Sequence, residues 1–296
     1  MRSSWEAESA GQIVLGATPI GNPGDAPARL VEWLSQADIV AAEDTRRLLR
    51  LTKALGIRIE GKTISYHEHN ELAKTPELIE AAQAGATVLL VSDAGMPSVS
   101  DPGYRLVTAA IDAGVRITAI PGASAALAAL ALSGLPTDRF AFEGFLPRKA
   151  GERERRLQEL AADPRTLIFF EAPHRLAAML AALTAVLGAD RPAAVARELT
   201  KEYEEVLRGA LGELAGWAEG AEVRGEIAVV VGAQSAATSG AGSAEEQVAQ
   251  VQQLMQDGLR LKDAVAVVAG SSGTSKRELY QAVLEARAAN TAEPTP

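Results

Sequence analysis

Three turns rich in glycine and proline are spaced along the first half of this 296-residue chain. They are Gly16-Ala-Thr-Pro-Ile-Gly-Asn-Pro-Gly24, Ser92-Asp-Ala-Gly-Met-Pro-Ser-Val-Ser-Asp-Pro-Gly103 and Pro121-Gly-Ala-Ser-Ala125. Glycine lets main-chain groups come close to a ligand, and proline holds the turn in one shape. No Lys or Arg lies between residues 16 and 28, 92 and 104, or 118 and 138, whereas Asp25, Asp93 and Asp101 do. The first turn lacks the Lys and Ser/Thr of a phosphate loop, and Gly16, Gly21 and Gly24 do not fit the Gly-x-Gly-x-x-Gly dinucleotide spacing. A polyphosphate is therefore a poor match. A nucleoside carrying a positive centre suits such turns, and S-adenosylmethionine, with its sulfonium, is the expected cofactor. The plainer reading is that these are ordinary tight loops.

The elements that must position these turns alternate from the start. Residues 12–18, 38–42, 87–91 and 115–120 read as strands, and 26–35, 44–55 and 77–84 as helices, the last with Thr75 as cap and Pro76 at its first position. Helices are also expected after the second and third turns. Such alternation predicts a parallel α/β sheet whose ligands sit outside the carboxyl ends of its strands. Residues 140–145, 166–170, 193–198, 203–208 and 227–231 read as further strands, with helices at 152–162 and 174–187. Only Leu199-Thr200-Lys201-Glu202 separates two of them, too short for a helical crossover, so this second sheet is expected to be mixed. The expected division is an N-terminal α/β domain (12–135), a second α/β domain (136–232), a flexible linker (233–243) and a helical C-terminal domain (244–290) with helices at 245–257, 261–269 and 275–288.

Composition narrows the function classes. With no cysteine, disulfides, thiolate zinc sites, iron–sulfur clusters and a cysteine nucleophile are excluded. A net charge of −9 argues against a protein that coats nucleic acid non-specifically, yet permits a local basic groove. Residues 1–11 are polar with no apolar core, and the uncharged run 117–135 is broken by Pro121-Gly122, Ser124 and Ser133-Gly134. No signal peptide or membrane span is expected, and a soluble, cytoplasmic protein is.

Several motifs occur in order along the chain: Thr18-Pro-Ile-Gly-Asn22, Ala42-Glu-Asp-Thr-Arg46, Ser65-Tyr-His-Glu-His-Asn70, Ser92-Asp-Ala-Gly95 with Ser100-Asp-Pro-Gly103, Phe145-Leu-Pro-Arg-Lys149, Glu171-Ala-Pro-His-Arg175, Arg197-Glu-Leu-Thr-Lys-Glu202 and Gly225-Glu226. Together they resemble the bacterial ribosomal RNA small subunit methyltransferase I family, of the tetrapyrrole-methylase (class III) fold group, which methylates a cytidine 2′-oxygen in 16S rRNA. The resemblance runs from about residue 12 to 231 and extends to the helical tail. It implies two α/β domains with S-adenosylmethionine in the cleft between them, usually as a homodimer, and 16S rRNA or the small ribosomal subunit as partner. Carried across motif by motif, it implies cofactor contacts at Pro19, Ala94, Gly95, Met96, Val99, Ser124, Ala125, Phe170, Glu171, Leu199, Gly225 and Glu226. Tetrapyrrole enzymes usually show Gly-Asp-Pro in the second turn, where this chain has Gly95-Met96-Pro97; a carboxylate role there would pass to Asp93 or Asp101.

Methyl transfer to a ribose hydroxyl is an in-line displacement that needs alignment and a proton acceptor. Asp44, His67, Glu171 and Lys201 are the candidate bases. Asp44 could equally cap the helix that follows, and Lys201 could contact phosphate or pair with Glu202 or Glu205. His67 and His69 would share one face of an extended segment, but no metal spacing accompanies them, so no metal is expected. Six basic residues against two acidic ones fall between 44 and 62, and Arg148, Lys149, Arg153, Arg155 and Arg156 follow Phe145-Leu146-Pro147. Arg46, Arg148, Lys149, His174 and Arg175 are the expected RNA contacts, although the glutamates among residues 152–156 also suit a solvated helix face. The C-terminal helices, with five basic and six acidic residues between 245 and 288, either contact RNA or pack on a dimer. Two other functions fit less well: a small-molecule tetrapyrrole-type methylase of the same fold, and a non-catalytic RNA-binding adaptor.

Overall fold

The structure is a computed structural model that describes residues 11–233, 244–272 and 274–291. Apart from residue 233, the expected linker lies outside the described residues. The N-terminal unit contains β1 (Gln12–Gly16), α1 (Ala28–Gln36), β2 (Ile39–Ala42), α2 (Thr45–Leu55), β3 (Lys62–Ser65), α3 (Glu71–Gln83), β4 (Thr87–Val91), α4 (Tyr104–Asp112) and β5 (Arg116–Ile120). Its five strands are all parallel, in the order β3-β2-β4-β1-β5. Apolar side chains of the inner strands face both ways. Val14, Val40 and Leu89 pack with Leu30 and Leu34 of α1 and Leu48 of α2, while Ile13, Val88 and Leu90 pack with Leu78 of α3 and Leu106 of α4. The connections after β1 and β4 thus leave the sheet on opposite faces although the strands are neighbours. In an open parallel sheet this opens a crevice at the carboxyl ends of that strand pair. The first two turns stand there.

Helix α5 (Ala125–Ser133) follows the third turn and crosses to the second sheet, where Ala126, Ala129 and Leu130 pack on Ile168, Ala196, Ala228 and Val230. That sheet contains β6 (Phe140–Phe145), β7 (Thr166–Glu171), β8 (Pro192–Arg197), β9 (Glu205–Ala210) and β10 (Ile227–Val231), in the order β6-β7-β10-β8-β9. Only β6 and β7 are parallel, so the sheet is mixed, and the short connection after β8 returns the chain as an antiparallel neighbour. Helices α6 (Ala150–Leu160), α7 (Leu176–Leu187) and α8 (Leu211–Gly220) cover the face away from α5. Helices α9 (Ala244–Gln256), α10 (Leu261–Ser272) and α11 (Lys276–Thr291) form a small unit around Val251, Ala264, Val265 and Val283. Among the described residues no helix is long and apolar enough to cross a membrane.

Three elements differ from the sequence reading. Helix α3 begins at Glu71 and carries Pro76 inside it, not at its first position. Its start is fixed upstream: Asn70 accepts a hydrogen bond from the His67 amide at 2.9 Å and donates to the Ser65 carbonyl at 3.1 Å. Thr75, the expected cap, instead donates to the Glu71 carbonyl at 2.7 Å and bonds the buried Tyr66 hydroxyl at 2.9 Å. Strand β3, only four residues long, and α8, interrupted by Gly212 and Gly216, carry too weak a local pattern to be read from sequence.

Candidate functional site

The three turns converge. Thr18 and Gly95 exchange main-chain hydrogen bonds of 2.9 and 3.0 Å, and the Thr18 hydroxyl donates to the Ser92 carbonyl at 3.2 Å. Gly95 has φ +81°, a conformation that costs a residue with Cβ, and a Cβ there would stand 3.4 Å from the Ala123 carbonyl of the third turn. Beyond it, Ser98 and Ser100 hold φ values of 70° and 65°, unusual for residues other than glycine. Such backbone strain clusters at ligand-binding loops.

The second sheet supplies the facing wall. Gly21 of the first turn lies against the segment 199–201, so closely that a Cβ would meet the Leu199 carbonyl at 2.9 Å. The Asn22 amide donates to the Thr200 hydroxyl at 3.1 Å. Ala94, Ala125, Phe170 and Leu199 share one apolar cluster with Ile20 and Phe142. The Phe170 ring packs edge-on against Phe142 and Phe145, with centroids 4.9 and 5.9 Å away. Of the residues expected to touch a cofactor, Ala94, Ala125, Phe170 and Leu199 are therefore brought into one apolar cluster, with Gly95 beside its Ile20. Pro19 is buried beside Thr18, and Val99 is exposed on the outer limb of the second turn. Ser124 caps α5 through a 3.4 Å bond from the Leu127 amide. Met96 is half-buried beside Gly95.

Carboxylates dominate the crevice rim at the ends of β2 and β4. Glu43 accepts from the Asp93 amide at 3.3 Å, and Asp93 accepts from the Asp44 amide at 3.0 Å and pairs with Arg47. Burial raises the pKa of both Glu43 and Asp93. Burial, reinforced by the negative charges of Glu43 and Asp93, pushes Asp101 up to about 7. The sequence reading named Asp101 but not Glu43, which differs in no visible way from any other glutamate until β2 ends beside β4.

Asp44 and Lys201 are both held by charged neighbours. Asp44 is the N-cap of α2: it accepts from the Arg46 amide at 2.8 Å and pairs with the Arg46 guanidinium at 2.8 Å. The bond from the Arg46 side chain holds its carboxyl well below the usual range, so it is a poor proton acceptor at neutral pH. Lys201 pairs with Glu198 at 2.8 Å and Glu226 at 3.2 Å. Partial burial opposes its charge, but the two carboxylates outweigh it and raise the pKa, so Lys201 stays cationic. Its pairing is with those two residues, not with the expected Glu202 or Glu205. It joins the Gly225–Glu226 segment to the end of β8, where Gly225 leaves room for the Glu198 side chain. His67 and His69 contact each other, ring centroids 5.9 Å apart, across a turn instead of along an extended segment. His67 Nδ1 is buried without a hydrogen-bond partner.

Glu171, 3% exposed at the end of β7, accepts from the Ala172 amide at 2.8 Å and pairs with Arg175 at 3.3 Å. Its second oxygen, Oε2, is buried and unpartnered. Arg175 donates to the Leu146 carbonyl at 2.9 Å, so it secures the 145–147 segment and is not a free cation. Arg148, Lys149 and His174 are exposed, with Lys149 paired to Glu152. Arg156 pairs with Glu159 on its own helix and with the largely buried Glu143 of β6, so it ties α6 to the sheet. No group of three or more His, Cys, Asp or Glu able to hold a metal occurs among the described residues.

Comparison with known proteins places this geometry. Residues 12–215 match the family described as Tetrapyrrole (Corrin/Porphyrin) Methylases, and residues 241–287 match the RsmI C-terminal HTH domain. A curated ribosomal RNA small subunit methyltransferase I of Mycobacterium tuberculosis is 52% identical over 94% of this chain and 96% of its own length. The chain belongs to the ribosomal RNA small subunit methyltransferase I family. The Pseudomonas aeruginosa member is 44% identical over 94% of this chain and 98% of its own. Among solved structures, the uroporphyrin-III C-methyltransferase of Thermus thermophilus complexed with S-adenosylhomocysteine shares the fold, with a TM-score of 0.54 at 22% identity over 75% of this chain and 97% of that one. The α/β two-sheet architecture is thus the tetrapyrrole-methylase fold, to which this family adds a helical C-terminal unit.

Proposed function

We propose that the chain is an S-adenosylmethionine-dependent methyltransferase that methylates the 2′-oxygen of a cytidine in 16S rRNA. Family membership supports rRNA as substrate, and the crevice itself supports the cofactor. Its turns contain no cation, its rim carries Glu43, Asp93 and Asp101, and Glu171 Oε2, at the end of β7 next to Phe170, is a buried, unmet acceptor. Carboxylates around a glycine turn suit a cationic nucleoside and repel a polyphosphate. That arrangement is the observation on which the reading stands.

When bound, S-adenosylmethionine supplies an electrophilic methyl group on its sulfonium. The units 12–135 and 136–232 form the two walls. Pro19, Ala94, Gly95, Met96, Val99, Ser124, Ala125, Phe170, Glu171, Leu199, Gly225 and Glu226 serve as the cofactor surface. Alignment of the ribose oxygen supplies most of the acceleration, because in-line displacement is geometrically demanding. Asp101 takes the hydroxyl proton, since a carboxylate titrating near 7 is matched to that task. Asp44 and Lys201 position the rim, and His67, at the end of β3, borders it. Arg46, Arg148, Lys149 and His174 offer exposed polar or charged contacts for RNA, with Arg175 holding the 145–147 segment in place. The working unit is a cytoplasmic homodimer, for which exposed Tyr104 and Ile111 on α4 and Leu127 and Leu132 on α5 offer apolar surface.

The test is transfer of a tritiated methyl group to small subunits or 16S rRNA from a strain lacking this protein, followed by mapping of the labelled nucleotide. Label on a cytidine 2′-oxygen is the expected result. Label on a base atom, or none on any ribosomal particle, overturns the proposal.

A further inference from the structure

The helical C-terminal unit is electrostatically undistinguished in composition, but the fold sorts its charges. Three of its five cations, Lys262, Lys276 and Arg277, line one open cleft of about 400 Å³ together with Val265, Tyr280 and Gln281. The cleft lies where α10 and α11 both begin, so the positive ends of two helix dipoles add to the side-chain charge. All three cations are exposed, and none forms an ion pair among the described residues. Asp263 and Glu278, in the first turns of these helices, are left unpaired with them. Arg46, Lys149 and Arg156, by comparison, are engaged by carboxylates. Tyr280, half-buried against the core of the unit, also lines the cleft.

We propose that this cleft between α10 and α11 binds phosphodiester groups of the RNA substrate, anchoring it at a second site outside the methyl-transfer crevice. Unpaired cations, converging helix starts and a tyrosine at the cleft wall are the recognition chemistry of a sugar-phosphate backbone, with positioning and no sequence reading. The crevice turns, free of Lys and Arg, supply no such grip, and the cleft adds a second group of cations to the exposed Arg148 and Lys149. The inference deepens the rRNA reading and rests on it.

The test uses the full chain and a short single-stranded 16S rRNA fragment, with binding followed by fluorescence anisotropy across a salt series. Lys262→Ala, Lys276→Ala and Arg277→Ala combined should weaken binding by about tenfold at low salt and reduce the log–log salt slope by about 2, at about 0.7 for each phosphate no longer neutralised. A companion variant with Lys262→Arg, Lys276→Arg and Arg277→Lys, which keeps the charges, should restore both. An alanine variant that keeps its circular dichroism and binds RNA with unchanged affinity and slope overturns the proposal. So does one that loses assembled small subunits while keeping naked RNA, which would make the cleft a protein-docking site. Should the alanine variant fail to fold, wild-type behaviour of single substitutions in the same series overturns it equally. Methylation by the wild-type chain is scored separately. Absent methylation with a cleft-dependent slope removes the enzymatic reading alone, and methylation with a cleft-independent slope removes this inference alone.

Discussion

Asp101 carries the sharpest consequence at the scale of single residues. A proton acceptor must be ionised to act, so kcat should climb with pH through about 7 and level above it. Asp101→Asn should remove that inflection and lower kcat by about 10²–10⁴; a pH–rate profile of wild type and variant checks both. Stability moves the opposite way. Because the folded-state pKa stands above the ordinary 3.8, the neutral carboxyl favours the folded state, a contribution complete below pH 4 and lost as pH rises through about 7. Denaturant midpoints should therefore show Asp101→Asn gaining on wild type from about pH 4 to about 7 and holding that gain above it. At this scale the sequence was partly legible. The absence of Lys and Arg from three turns is visible in a line of text, and so is an aspartate in the second turn. What it could not show is which charges meet. Lys201 finds Glu226 only because β8 and β10 are neighbours, and Asp101 is pushed up to about 7 by its burial together with Glu43 and Asp93, which two strand ends bring to it.

Elements transmit these placements, and the joint between the two units is the segment 199–201 against Gly21. A side chain at position 21 would meet Lys201 Cγ at 2.5 Å and the Leu199 carbonyl at 2.9 Å. Gly21→Val should push that segment outward and weaken S-adenosylmethionine binding, while the cores of both units, which do not include residue 21, keep the chain folded. Calorimetry of the variant beside its thermal unfolding checks this; full cofactor affinity would show that the joint does not shape the crevice. Strands with Val, Ile and Leu on both faces and the short connection after β8 were readable, because buried parallel strands and tight reversals have strong local signatures. The start of helix α3 was not, since Asn70 and Thr75 act through side-chain bonds that extend the helix upstream of Pro76. Helix α8 escaped because its glycines dilute a pattern that packing on α7 and the second sheet sustains.

For the whole molecule, neighbouring strands β1 and β4 send their connections to opposite faces, and α5 crosses to the second sheet. Those two facts of topology set a glycine turn, a ring of carboxylates and an aromatic wall around one crevice. Motif order along the chain made the family legible, but not the sorting of charge into an acidic crevice rim and a basic cleft in the helical unit. The central claim is that this crevice accepts a cationic methyl donor and refuses an anionic nucleotide. Calorimetric titration of the intact chain with S-adenosylmethionine, and separately with ATP, measures it directly. Saturable heat for S-adenosylmethionine and none for ATP is the predicted result; heat for ATP, or none for S-adenosylmethionine, contradicts the account.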